Sequence, residues 1–290
     1  MNCRSAVTHG PLAALFALAV AALGGCSLAE PLQTPSTPNP ARTASDMLER
    51  IMPTPLLLLG EQHDAPEHQR LQRELVRQLA ARGELGALVI EMAPRGTSTQ
   101  GLAANASEEA VQKALQWGQA NGGWSWEVYG PVVMTAVQAR VPVLGGNLPR
   151  AAMKDAMQNE GLDGLLERDA LAEQQANIRK GHCDLLPDAQ IAPMARIQIA
   201  RDRAMADTAV QALRRGQTVL LVAGNEHVRR DLGVPRYLPP QQAFRVVQSR
   251  AQPNTVEDPV ATSAHADLLW TSPPQPPRDY CADLKRQMGR

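Results

Sequence analysis

The four leucines Leu56 to Leu59 leave no polar side chain on either face of an extended segment, and Gly60-Glu61-Gln62-His63 follows them directly. A strand apolar at every position is covered on both sides, the mark of a sheet sandwiched between helices. The construction returns at Thr218 to Ala223, which runs into Gly224-Asn225-Glu226-His227. Set side by side in a parallel sheet, the two runs bring both imidazoles to one rim, where ligands of open α/β sheets bind.

Gly86 to Glu91 and Val141 to Asn147 read as further strands, and Phe244 to Gln248 and Asp267 to Trp270 as two more. Helical patterns separate them. After the first strand Asp64 is placed to cap a helix, Pro66 stands in its first turn, and Leu71, Leu75 and Leu79 recur at four-residue spacing. Pro131 is placed to open a helix before Val141, and two more are expected over Leu162 to Arg179 and Met194 to Arg215. The predicted fold class is α/β, a mostly parallel central sheet flanked by helices.

On that reading the polar residues gather at strand ends. Glu61 and His63 follow one strand, Glu91 ends another, Asn147 ends a third, and Asn225, Glu226 and His227 follow a fourth. Neutral imidazoles with carboxylate and amide oxygens suit a divalent transition metal, or acid–base work on a small substrate. A glycine at a strand end also serves a plain turn, and a histidine after it a plain helix cap. Glu91 resists that bland reading, because it follows Leu88-Val89-Ile90 in a strand expected to be buried on both sides.

The ends of the chain have a different character. Residues 1–25 carry one charged side chain, Arg4, ahead of an apolar stretch from Pro11 to Leu23, which suits a secretory signal. Leu23-Gly24-Gly25-Cys26 resembles the lipobox of bacterial lipoproteins, with Cys26 lipidated, and Ser27 in place of aspartate implies sorting to the outer membrane. Residues 26–44 then read as a proline-rich flexible linker, 45–272 as the folded domain, and 273–290 as a second proline-rich tail. Without Arg4 the chain has 28 basic against 29 acidic residues, so no positive balance favours nucleic acid. Cys183 and Cys281 remain as thiols in an oxidising compartment, either as one disulfide or as two unpaired cysteines, with a ligand role open for Cys183 beside His182.

A family resemblance is carried by motifs in order from Leu56 to Leu238. They are Gly60-Glu61-Gln62-His63-Asp64 with His68, Ile90-Glu91-Met92, Gly181-His182-Cys183, Gln198 with Arg201-Asp202 and Met205-Ala206, Ala223 to Val228, and Gly233-Val234-Pro235. The chain resembles the ChaN-type haem-binding uptake lipoproteins of the Tiki superfamily. The resemblance implies a Tiki/ChaN-like α/β fold, haem as cofactor, iron uptake, homodimers, and a haem transport receptor as partner. Glu226 stands where the family usually has glycine. Other superfamily members imply an alternative, a metal-dependent hydrolase of peptidase or esterase type. Its metal or catalytic residues would be His63, His227, Glu61 and Glu91, with Asn147 or Asn225 polarising the substrate.

Haem needs an axial ligand and an apolar wall, and histidine and tyrosine both ligate iron. Of the three tyrosines, Tyr129 follows Trp124-Ser125-Trp126 and is the leading candidate, with Tyr237 in reserve and the alternative that Tyr129 packs the core. His182 could ligate iron or hydrogen-bond a ligating tyrosine. Gln198, Arg201, Asp202 and Met205 share one helix side, where Arg201 could bind a propionate or pair with Asp202. Met153, Met194 and Met205 could line an adaptable pocket or fill core gaps.

Overall fold

The computed structural model describes residues 43–118, 123–254 and 264–287. The expected signal segment, Cys26 and the expected linker as far as residue 42 lie outside them, while Ala44 already belongs to the first helix. Thr43 opens the first helix, α1 (Ala44–Ile51), its hydroxyl accepting from Asp46 N at 3.1 Å, and Met47, Leu48 and Ile51 bury its inner side.

Six parallel strands form one sheet: β1 (Leu56–Glu61), β2 (Leu85–Pro94), β3 (Val143–Asn147), β4 (Thr218–Gly224), β5 (Arg245–Ala251) and β6 (Leu268–Ser272). Their order is β3-β2-β4-β1-β5-β6. The chain begins in the middle, steps outward through β2 and β3, returns to lay β4 against β1, and continues to the other side. Glu61 ends opposite Gly224, so the two glycine–histidine segments leave the sheet side by side.

Alternation along the strands explains the two-sided burial. Leu57, Leu59, Leu88, Ile90, Leu220 and Val222 pack on one face, beneath α1, α2 (Pro66–Ala81), α3 (Glu108–Ala114) and α4 (Trp126–Gln138). Leu56, Leu58, Val89, Val219 and Leu221 pack on the other, against Met205, Ala206, Ala209 and Ala212 of a 25-residue helix. The smaller helices α5 (Met153–Gln158) and α6 (Arg168–Gly181) precede that helix, α7 (Asp188–Ala212). Each fully buried leucine contributes about 1.5–3 kcal/mol through apolar burial.

Several boundaries differ from expectation for local reasons. Pro131 lies inside α4 rather than opening it, and α7 starts at Asp188 rather than Met194 with Pro193 inside it, because Trp126, Tyr129 and Ile191 extend the buried faces N-terminally. The helix expected from Leu162 to Arg179 is interrupted: a 3-10 turn over Glu160–Leu165 precedes α6. Asp64 does not cap α2. Pro66 at the first helical position has no N–H to satisfy, and the Asp64 carboxylate instead accepts from the Tyr280 hydroxyl. Tyr280 belongs to α8 (Tyr280–Gln287), which follows the prolines after β6, and a Cys183–Cys281 disulfide ties this helix to the end of α6.

Candidate functional site

The site is built where β1, β2 and β4 end. A Cβ on Gly60 would stand 2.4 Å from Asn225 Oδ1, and one on Gly224 would stand 2.8 Å from His63 Nε2. Each motif's glycine therefore makes room for a polar side chain of the other motif. Neither glycine has the left-handed backbone of a tight turn.

Between the motifs sits Glu91 at 3% exposure. Its Oε2 accepts from Gly224 N at 2.8 Å, its Oε1 lies 3.3 Å from His227 Nε2, and His63 Nε2 is 3.9 Å from Oε2. The other nitrogen of His227 is 2.6 Å from Asp202 Oδ1 on α7. Burial opposes charge on His227, but Glu91 and Asp202 outweigh it and push the imidazole up to about 10. Burial likewise raises Asp202, to about 6 against the pull of His227. Glu91 moves the other way: burial opposes its charge, but His227, His63 and the Gly224 N–H hold it well below the carboxylate range. Asp202, His227 and Glu91 thus form a buried ionic triad in which one cation serves two carboxylates.

His63 is the more accessible imidazole. Its Nδ1 lies 2.7 Å from Glu61 Oε1, and its ring leans on Trp124 at 4.6 Å. Burial opposes its charge, yet the Glu61 hydrogen bond and Glu91 raise its pKa. Glu61 in turn accepts from the Tyr129 hydroxyl at 2.6 Å, from Gln69 Nε2 at 2.6 Å and from Gln72 Nε2. Sequence reasoning missed the two glutamines. Their signal was present, since Gln72 shares the buried side of α2 with Leu75, Val76 and Leu79.

A cavity of about 560 Å³ opens over this floor, lined by His63, Glu91, Trp124, His182, Arg201 and Arg250 among others. Arg201 Nε, Arg250 Nε and Asn225 Oδ1 are buried without a hydrogen-bond partner. Burial lowers the Arg201 pKa, against Glu91 and Asp202, which favour its charge. His182, also lining the cavity, ends α6, its Nδ1 2.8 Å from Ile178 O. A carbonyl only accepts, so Nδ1 carries a proton, and in the neutral ring Nε2 then keeps its lone pair, the tautomer a metal-ligating imidazole needs.

Other expected residues lie elsewhere. Asn147 ends the edge strand β3, separated from β1 by β2 and β4, and does not line the cavity. Tyr129 is 4% exposed, with its hydroxyl committed to Glu61, and burial followed by the Glu61 charge raises its pKa far above the phenol range. Tyr237 packs in a 3-10 turn over Val234–Tyr237 against the apolar clusters, its pKa raised mainly by burial. Neither tyrosine lines the cavity, nor do Met153, Met194 and Met205. Glu226 stands at the rim and pairs with Arg229 at 3.1 Å. Asp202 bonds to His227 in preference to its neighbour Arg201. Both ring nitrogens of His227 face carboxylates, and among the described residues no three His, Cys, Asp or Glu side chains are grouped to hold a metal ion.

Residues 47–238 match the family model for haem-binding uptake, Tiki superfamily, ChaN. The chain belongs to this family. Its fold is that of ChaN of Campylobacter jejuni, which binds haem cofacially: the two align with a TM-score of 0.59 at 21% identity, over 73% of this chain and 87% of that one. The type III effector HopBA1 aligns at 0.44 with 13% identity, over 83% of this chain and 99% of that chain. No curated protein sequence matches the chain. Within the ChaN family match lie both glycine–histidine motifs, Glu91, His182 and Arg201, whereas Arg250 and Cys281 lie beyond it.

Proposed function

We propose that this chain binds haem in the cavity at the strand ends, as a lipid-anchored envelope protein serving haem and iron uptake. The observation that carries the reading is His182, whose Nδ1 is held by a backbone carbonyl while Nε2 is left for a ligand at the wall of the cavity. The donor set fits the group. His182 would supply a nitrogen ligand to the iron, the indole of Trp124 a flat apolar surface, and Arg201 and Arg250, each with a buried Nε that lacks a partner, would take the propionates. Bound iron supplies the ligand field that its absorption reports, and the protein's part is to hold the macrocycle and exclude water. Lipidation at Cys26 would keep the domain at the outer membrane facing the periplasm. Cofacial haem binding by the Campylobacter relative supports a homodimer as the unit that would hold the cargo. A transport receptor would then be the partner that exchanges the cargo.

Haem titration of the domain tests this directly. Saturable binding with a shifted Soret band is expected, and His182→Ala should alter that band and weaken binding by at least about tenfold, as for loss of a metal ligand's contribution. Tyr129→Phe should leave the spectrum unchanged. An unaltered spectrum in His182→Ala would remove the ligand assignment, and absence of saturable binding would remove the haem reading.

A second reading is favoured by the Glu61–His63 pair. A carboxylate that orients an imidazole, whose other nitrogen reaches a cleft, is the arrangement of a general base activating water. Ester or amide hydrolysis lost in His63→Ala but not in His182→Ala would support it.

A further inference from the structure

Tyr280 and Cys281 are consecutive, and each is bonded to the chain neighbour of a cavity histidine. The Tyr280 hydroxyl donates to Asp64, next to His63, and Cys281 is disulfide-bonded to Cys183, next to His182. His63 and His182 stand on different segments of the cavity wall, one after β1 and the other at the end of α6. We propose that the start of α8 is a strap that holds these two histidine-bearing segments at a set separation, and that Tyr280 and Cys281 are positioning residues for whatever the cavity binds.

The local backbone gives the strap something to hold. Cys183 and Asp184 both have the left-handed conformation, φ 54° and 56°, which ordinary side chains adopt at a cost. Such a pair persists where surrounding bonds over-determine it, and here the disulfide acts together with the backbone hydrogen bonds from Cys183 N to Lys180 O and from Asp184 N to Arg179 O, each 3.0 Å. It closes a separation of 98 residues, so it joins parts of the chain that no local structure connects. On the other side, His63 and Asp64 are the central residues of a turn closed by Ala65 N and Gln62 O, and the Asp64 side chain is released from capping because Ala65 takes the cap position before Pro66. The strap itself is braced: Arg278 lies over the Tyr280 ring at 5.2 Å and bonds to Asp283 at 2.8 Å, while Asp279 Oδ1 accepts from Ala282 N at 2.8 Å. The covalent end supplies the strength, because a hydrogen bond between exposed side chains is weak. The tyrosine end supplies the reach to the second histidine.

A strap predicts communication that a local staple does not. In the full-length protein carrying Cys183→Ser with Cys281→Ser, the imidazole resonances of both His182 and His63 should shift, although only His182 adjoins the lost bond. Amide exchange should accelerate about tenfold or more at residues 178–185 and 62–65, with the sheet unchanged, as for a local opening. Tyr280→Phe alone should reproduce the His63 shift and leave His182 nearly unmoved. These readouts involve no haem, so they test the strap even if the haem reading fails. If haem binds, its affinity should fall in the double serine variant with protein and ligand spectra otherwise normal. Exchange and shifts confined to residues 178–185 would overturn the strap, as would a double serine variant in which neither histidine responds.

Discussion

The charge arrangement at His227 makes the pH response a property of single side chains. A histidine whose folded pKa is raised contributes stability below its ordinary value and loses it as pH climbs through the folded one. For His227 that window runs from 6.5 to about 10. His68 works in the opposite sense: burial depresses it to about 4, so its contribution is complete above 6.5 and is lost as pH falls toward 4. Urea melts across pH should therefore lose stability on the alkaline side, with that limb flattened in His227→Gln. His227→Ala should cost about 3–5 kcal/mol, the penalty of leaving buried carboxylates uncompensated. A cost below about 1 kcal/mol in the same melts would contradict the ionic triad. Glu91 and His227 were legible as residue types, because a carboxylate after an apolar strand and a histidine in a repeated motif both stand out. Asp202 was legible only as a neighbour of Arg201. Its true partner lies 25 positions away on another element.

At the scale of elements, the site depends on β1 and β4 being adjacent. Gly60→Ala should destabilise the protein by about 1–3 kcal/mol, the usual range for forcing extra volume into a packed site, since its new methyl meets Asn225 Oδ1 and Val228 Cγ2. Gly83→Ala makes a useful contrast: there is space around it, and the cost comes from its left-handed φ of 69° alone. Equal thermal shifts, together with unchanged His63 resonances in Gly60→Ala, would count against interlocked motifs. Strand positions were readable because unbroken apolar runs of this length have few other uses. Helix starts were not: Pro131 read locally as a boundary, yet α4 begins at Trp126 with Tyr129 buried, and α7 begins at Asp188 with Ile191 buried, ahead of the expected start at Met194.

Across the whole molecule, the proposed pairing of subunits should depend on cargo. Sedimentation velocity of the domain should show a shift toward dimer as haem is added to saturation, and a sedimentation coefficient unchanged by haem would remove the paired arrangement while leaving a monomeric site possible. Taken alone, the sequence determined the α/β class, the position of every strand to within a few residues, the family, and the glycine–histidine pairs, because apolar periodicity and short motifs are properties of neighbouring residues. Tertiary structure alone decided that β4 inserts beside β1, that Tyr129 serves Glu61 and lies off the cavity wall, that Arg250 joins Arg201, and that Cys281 reaches Cys183. Each of those outcomes is a contact between residues far apart in the chain, and strand order, which local preferences do not encode, sets which distant residues meet.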